Sequence, residues 1–346
     1  MMRSALDCPE IDPTPIFELF RGSYATELLT AAVAHFCVFE KLAAGTKSHE
    51  QLAGEIGLAP RPAVVLFTAL KAMRLIEDAA GKLTLTKIAA EHLVPGGAFF
   101  VGDYVGLAAE APGVVHMATL LRNNGPERRD ETAFIYREGT GASMEAEASA
   151  RHLTLALAGR AKNVAPALAA AVDASDCKTL LDLGGGTGIY SIAMVQQNPR
   201  LKAIVFDRPE VLKVAAEMAA EYGVTDRIEL AAGDMFIDPL PTDCDLVLLS
   251  NILHDWDVPE CRTLIERSAK ALSDGGRLLI HDVVLNDALD GPLPIALYSA
   301  ALFTLTEGRA YSAAEYRAML LEAGLTPSAV APTAVHCGVI AGRREV

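Results

Sequence analysis

Paired cysteines are absent from this sequence. The six cysteines, Cys8, Cys37, Cys177, Cys244, Cys261 and Cys337, are scattered and form no C-x-x-C. That pattern excludes a thiol zinc site and a disulfide framework. It reads as reduced thiols in a cytoplasmic protein, and no metal is expected. A basic surplus is also missing: 30 Lys and Arg stand against 44 Asp and Glu, a formal net charge of −14. A phosphate-reading surface needs the opposite sign, so no nucleic-acid partner is expected. No basic segment followed by an apolar run stands near the start, so no signal peptide is visible. The longest uncharged apolar-rich run there, Leu28 to Phe39, is too short to span a bilayer and contains His35. No membrane partner is therefore expected. Internal repeats and low-complexity linkers are lacking too.

What is present is a globular composition, 51% apolar and 21% charged over 346 residues, long enough for two domains. Its centre is Leu180-Leu181-Asp182-Leu183-Gly184-Gly185-Gly186-Thr187-Gly188. A short apolar run that ends in glycines, followed by the periodic segment Ile189 to Gln197, predicts a buried strand, a tight turn and a helix start. The glycines let a ligand approach the backbone, and the helix N–H groups favour an anionic group on it. A second apolar run, Leu201 to Phe206, ends in Asp207, 19 residues after Gly188. An acid placed there commonly grips ribose hydroxyls. The dinucleotide pattern G-x-G-x-x-G fails, because its last position falls on Ile189 or Ser191. The spacing present is D-x-G-x-G-x-G, on Asp182, Gly184, Gly186 and Gly188.

From Lys178 onward strands and helices alternate. Strands are predicted at Thr179–Leu183, Lys202–Phe206, Ile228–Ala232, Leu246–Ser250 and Arg277–Val284, and helices at Ile189–Gln197, Val211–Tyr222 and Glu260–Leu272. Alternation of this kind makes an α/β fold with a doubly wound parallel sheet, whose ligands sit at the carboxyl ends of the strands. The polar candidates fall at those ends. Asp207 follows the second strand, Gly233-Asp234-Met235-Phe236 the third, and Ser250, Asn251 and His254 the fourth, while Asp282 lies in the fifth.

The first hundred residues read as helices and a small hairpin, a winged-helix arrangement over residues 1–100. One or two helices are predicted over Ile16 to Leu42. Ser48 and Gln51 form a capping box, Gly57 ends that helix, and Pro60 and Pro62 open the next. Short strands at Leu75–Glu77 and Lys82–Leu85 follow. With 11 acids against nine bases over these residues, the unit lacks the basic face of a DNA reader. The apolar helix residues Val64, Val65, Leu66, Phe67 and Leu70 suggest instead a partner surface, of a homodimer. Residues 101–346 then hold linking helices and the ligand-binding domain. Between them, Arg122 to Asp130 reads as a polar loop, Gly139 to Ser143 as a turn and Met144 to Val172 as a helix. Tyr104, Met117 and His152 are candidates to line an acceptor pocket.

Two sets of motifs resemble a known family. The glycine spacing resembles motif I of the class I methyltransferases. Asn251-Ile252-Leu253-His254-Asp255-Trp256-Asp257 closely resembles the H-D-W signature of small-molecule O-methyltransferases of the caffeic-acid and acetylserotonin type. Phe206-Asp207-Arg208-Pro209-Glu210-Val211, Gly233-Asp234-Met235-Phe236 and Asp274-Gly275-Gly276-Arg277 are similar to further motifs of that family. The resemblance covers nearly the whole chain. It implies a Rossmann-like catalytic domain preceded by a mostly helical winged-helix dimerisation domain, with S-adenosylmethionine as cofactor and a small molecule as methyl acceptor.

The resemblance also implies roles. Gly184, Gly186 and Gly188 would cradle the methionine end of the cofactor and Asp207 would take the ribose. Asp234 and Met235 would bracket the adenine, with Phe236 and Trp256 close by. Asp182, Gly233, Ser250 and Asn251 complete the expected cofactor set, although Ser250 replaces a lysine of the plant members. His254 would be the general base and Asp282 its carboxylate partner. The family's second carboxylate, in G-x-E-R-T, is replaced here by Ala310 within Gly308-Arg309-Ala310-Tyr311-Ser312. A hydroxyl acceptor served by His254 and Asp282 is the first expectation. A sulfur or carbon acceptor that needs little base is the alternative, with Arg309 and Tyr311 as candidates to bind its polar head.

Overall fold

The computed structural model describes residues 3–126 and 147–345, with side chains from 151 onward in the second stretch. The end of the polar loop, the Gly139 to Ser143 turn and the start of the Met144 helix lie outside the described residues. The chain divides into two compact units.

One unit comprises Glu18–Gly139 and Leu285–Ser312. Its capping box is present: Ser48 Oγ accepts from the Gln51 N–H, and the Gln51 side chain accepts from the Ser48 N–H at 2.9 Å. Gly57 closes that helix, His49–Ile56, with φ 70°. Pro60 opens the next, Pro60–Ala72. The hairpin Ile76–Ala79 and Lys82–Leu85 joins Lys47–Ser48 in a three-stranded sheet. The one or two helices expected over Ile16 to Leu42 are instead four segments, Thr14–Arg21, Ala25–Thr30, Ala31–His35 and Val38–Ala43. Cys37, left-handed at φ 51°, makes the last break.

A second expectation is corrected here. Val65, Leu66, Phe67 and Leu70 do not form an open partner surface. They are at most 1% exposed, in one core with Leu28, Phe39, Leu52 and Phe303. The helix Leu293–Leu305 packs against them and covers the face that an amphipathic reading left open. The exposed apolar residues of this unit are others, among them Leu19, Phe20, Phe99, Tyr104 and Leu107.

The other unit comprises Met1–Phe17, Thr140–Val284 and Ala313–Val346. Its strands are β1 (Thr179–Leu183), β2 (Lys202–Asp207), β3 (Ile228–Ala232), β4 (Cys244–Ser250), β5 (Leu272–Leu285), β6 (Leu325–Pro327) and β7 (Cys337–Arg344). Its helices are α1 (Glu147–Ala171), α2 (Ile189–Gln197), α3 (Pro209–Glu221), α4 (Val258–Ala271) and α5 (Ala313–Glu322). The strands lie in the order β6-β7-β5-β4-β1-β2-β3. The five from β5 to β3 are parallel, and β7 and β6 add an antiparallel edge. Parallel strands covered on both faces read as unbroken apolar runs, as Leu246 to Leu249 does, with no residue above 1% exposed. The order reverses between β1 and β4, so the crevice at the carboxyl ends opens there. Among the described residues no single helix is long and apolar enough to cross a membrane.

Asp182 of β1 is a carboxylate inside this sheet, 1% exposed. Ser191 of α2 donates its hydroxyl to Oδ2 at 2.7 Å, which ties the helix start to the strand. Burial pushes the carboxyl up to about 7, against 3.8 in the unfolded chain. Between those values the unfolded chain has lost the proton and the folded chain keeps it, so stability falls as pH rises through that window. Asp182→Asn removes the titration and keeps an acceptor for Ser191. Its melting temperature should rise relative to wild type between pH 5 and pH 7, by several degrees. Melting curves at the two pH values check this, and a constant difference would contradict it.

Candidate functional site

The turn after β1 is built from backbone conformation. Gly184, Gly186 and Gly188 have φ of 70°, 58° and 69°, a region closed to most side chains. Gly185 has a different reason to be glycine. A Cβ there would stand 2.8 Å from Asp182 Cγ and from Val205 Cγ1. Three glycines therefore supply the bend and the fourth supplies clearance behind it. Gly188 is the N-cap of α2, so the open N–H groups of that helix begin at the turn.

Asp207, at the end of β2, is half-buried and reaches back to this turn. Its Oδ2 accepts the Gly186 N–H at 2.8 Å and its Oδ1 accepts the Arg208 N–H at 2.7 Å. Burial raises its carboxyl above the ordinary value, while the two N–H donors and the Arg208 charge work the other way. The next loop, after β3, is fastened on both sides. Asp234 accepts from the Phe236 N–H at 2.8 Å and from the Arg208 guanidinium at 3.1 Å. Arg267 of α4 donates to the Met235 carbonyl at 2.8 Å and also to the Asp238 carbonyl. Gly233 has no room for a side chain, since a Cβ would fall 2.4 Å from the Phe206 ring. Phe236 and Trp256 meet edge to face with centroids 4.7 Å apart.

A buried polar chain runs across the ends of β4 and β5. Ser250 lies opposite His281 in the register, and its hydroxyl is 2.8 Å from His281 Nδ1. His281 Nε2 is 3.1 Å from the Thr333 hydroxyl. Burial drops the His281 imidazole to about 3, so it is neutral and takes one hydroxyl as donor and the other as acceptor. Asn251, left-handed at φ 56°, donates from Nδ2 to the Ser250 hydroxyl at 3.1 Å and to the Tyr190 hydroxyl at 3.2 Å. Its Oδ1 is buried and has no hydrogen-bond partner among the described residues.

His254 stands beside this chain in the short turn Leu253–Asp255, 4% exposed. Its Nδ1–H donates to Asp282 Oδ1 at 2.5 Å, because an ionised carboxylate can only accept. The neutral ring then carries its lone pair on Nε2. Asp255 Oδ1 lies 3.6 Å from Nε2. Burial works to lower the His254 pKa, but Asp282 and Asp255 outweigh it and the imidazole lies above its ordinary 6.5. Burial likewise works to raise Asp282, and the His254 charge and hydrogen bond reverse that to a net lowering. Asp255 is pushed up to about 6 by burial. The Arg160 charge, from α1, acts on His254, Asp255, Asp282, His281 and Tyr190 alike.

The structure thus places Asp182, Gly184, Gly186, Gly188, Asp207, Gly233, Asp234, Met235, Phe236, Ser250, Asn251, His254, Trp256 and Asp282 in one unit, at or behind one sheet edge. His152 is exposed on α1 of the same unit. Tyr104, Met117, Arg309 and Tyr311 belong to the other unit. There Tyr104 is 78% exposed and Met117 is a core residue. Arg309, buried, lies over the Tyr311 ring at 4.2 Å and donates to the Ala310 carbonyl at 3.0 Å. Sequence reasoning passed over Tyr190, Asp255, Arg160, His281, Arg267 and Tyr316. Only Asp255 had a signal, as the neighbour of His254 in H-D-W. Among the described residues no group of three or more His, Cys, Asp or Glu stands close enough to hold a metal ion.

Comparison with known proteins agrees with this arrangement. The profile of the O-methyltransferase domain matches residues 115–326. A 3-hydroxy-5-methyl-1-naphthoate 3-O-methyltransferase of Streptomyces sahachiroi is 37% identical, over 90% of this chain and 89% of its own. The acetylserotonin O-methyltransferase of Bos taurus is 30% identical, over 89% of this chain and 90% of its own. A crystal structure of an O-methyltransferase family 2 protein from Planctomyces limnophilus, complexed with apigenin, superposes with a TM-score of 0.89 at 46% identity, covering 99% of both chains. With the glycine turn, the acid after β2 and the His254–Asp282 pair in place, the chain belongs to the O-methyltransferase domain family and is an S-adenosylmethionine-dependent methyltransferase acting on small molecules.

Proposed function

We propose that the chain methylates a hydroxyl oxygen of a small aromatic acceptor, with His254 as general base and Asp282 as its orienting partner. What carries this is the 2.5 Å hydrogen bond from His254 Nδ1–H to a carboxylate 1% exposed, which fixes the tautomer with the basic nitrogen at Nε2. The aromatic acceptor is inferred from the naphthoate and acetylserotonin enzymes and from the apigenin complex of the similar proteins.

The residues present suit the cofactor. At Gly186 a Cβ would meet nothing within 4 Å, so the turn offers bare backbone to open space. The Asn251 Oδ1 is a buried acceptor that an ammonium group complements. Gly184, Gly186, Gly188, Ser250 and Asn251 would hold the methionine end, with Asp182 bracing the turn from behind. Asp207 would hold the ribose, and Gly233, Asp234, Met235, Phe236 and Trp256 the adenine. Bound there, S-adenosylmethionine supplies an electrophilic methyl on a cationic sulfur.

The chain's own part is to orient the acceptor, keep water away and take up a proton. A phenol near pKa 10 is mostly protonated at neutral pH. His254 Nε2 accepts that proton as the oxygen is methylated, and Asp282 stabilises the imidazolium that forms. Of the acceptor contacts expected from the sequence, His152, exposed in the same unit, remains the proposed one. A sulfur or carbon acceptor is the second reading, favoured by Ala310, fully buried where the family's second carboxylate was expected. We also assign the homodimer contact to residues 1–100, on the strength of the exposed Leu19, Phe20 and Phe99. The six cysteines, none of them in a disulfide, suit a cytoplasmic setting.

Three measurements test this. His254→Ala should lower kcat by about a hundredfold or more on a panel of hydroxynaphthoates, N-acetylserotonin and flavones, with cofactor Kd unchanged. A near-normal rate would remove His254 as the base. The acid limb of kcat/KM should fall above pH 6.5, since activity is lost as pH drops through the raised His254 pKa. A limb at or below 6.5 counts against this base. Calorimetry on Asp207→Ala should show S-adenosylmethionine bound roughly ten- to a hundredfold more weakly. Unchanged affinity would remove Asp207 from the ribose site.

A further inference from the structure

We propose that Tyr316 is a positioning residue for the base: its hydroxyl pins the far oxygen of Asp282 and so fixes the ring of His254. This rests on His254 being the base. Tyr316 is in α5, fully buried, and its OH donates to Asp282 Oδ2 at 3.2 Å. The near oxygen, Oδ1, accepts both the His254 Nδ1–H at 2.5 Å and the Val283 N–H at 2.8 Å. The carboxylate is therefore held at both oxygens, by groups from three places in the chain: the turn after β4, β5 itself and α5.

The physical need is rotational. The terminal torsion of an aspartate is broad, so one anchored oxygen leaves the carboxylate plane free to tilt. A tilt weakens the short bond to Nδ1 and lets the imidazole turn or exchange tautomers. A donor on the opposite oxygen removes that freedom. Tyrosine is suited to this, because its ring is rigid and fills the space between helix and strand while its hydroxyl meets the charge. The acid expected at position 310 is an alanine, so the support of the base is assigned here to a phenol on the following helix. The role is indirect: Tyr316 acts on the carboxylate that holds the base.

The test is Tyr316→Phe, which removes one oxygen and keeps the ring. Histidine labelled with 15N reports ring tautomers directly, and the His254 signals are identified as those lost in His254→Ala. Wild type, at a pH above the His254 titration, should show His254 as the Nδ1–H tautomer. In Tyr316→Phe its two nitrogen shifts should move toward each other as the second tautomer becomes populated. An unchanged His254 spectrum in a variant that still folds and binds S-adenosylmethionine would overturn the proposal.

Kinetics on the same acceptor panel gives a second readout. Tyr316→Phe should lower kcat roughly five- to twentyfold with KM and cofactor Kd within about twofold, and should cost nothing further when added to His254→Ala. An equal loss in both backgrounds would make Tyr316 merely structural while leaving the base intact. A near-normal rate for His254→Ala alone would instead remove the base, which separates failure of the parent reading from failure of this one. Should the Phe variant not fold, Tyr316→Trp keeps an aromatic ring and moves the donor, and the same disturbed spectrum is expected.

Discussion

The hydrogen bond between His254 and Asp282 is the constraint on which two buried ionisable groups of this site depend. A lone ionised carboxylate buried in a protein carries a penalty of several kcal/mol. Asp282 tolerates burial because the imidazole, a backbone N–H and a phenol together replace its water. The same pairing works on the histidine. Burial alone would make that ring a poorer proton acceptor, and the flanking acids restore and exceed its ordinary basicity. Neither group would hold its protonation state in such a place without the other.

The sheet delivers these groups to one edge. In a parallel sheet the strands run in one direction, so whatever follows each carboxyl end gathers on the same side. β1 contributes a turn of backbone, β2 a carboxylate, β4 the asparagine and histidine, and β5 the aspartate. Next to β5, the antiparallel edge brings Thr333 to His281, which holds Ser250 and through it Asn251. One buried imidazole without charge thus links three segments that are distant in sequence: β5, the end of β4 and the loop at Thr333. It contributes shape and hydrogen bonding, where its neighbour His254 is the proposed base. Their environments divide the two roles: His281 meets hydroxyls, and His254 meets carboxylates.

Much of this was legible beforehand, for reasons that can be named. The alternation of apolar strands and periodic helices from Lys178 onward placed every parallel strand within a few residues. Gly184, Gly186 and Gly188 were readable because left-handed backbone leaves a mark in sequence. Gly185 was not singled out, since its need for clearance comes from Val205, a residue of another strand. Tyr316 and Arg160 were passed over for the same cause: an aromatic or a cation on an ordinary helix says nothing about which buried charge it will meet. The apolar helix Pro60–Ala72 misled, because a face covered by a helix more than two hundred positions later looks the same in sequence as a face awaiting a partner. The break at Cys37 had no glycine or proline to announce it.

The loop after β3 has a consequence for how a ligand is received. Two arginines already hold it: Arg208, just before α3, grips Asp234, while Arg267 of α4 fastens the carbonyls of Met235 and Asp238. A segment so restrained has little conformational entropy left to surrender on association. An occupant would meet a loop already shaped instead of shaping one. If the adenine docks here, as proposed, discrimination between purine-bearing ligands is steric and immediate, settled on arrival and not by a slow folding of the protein around its guest.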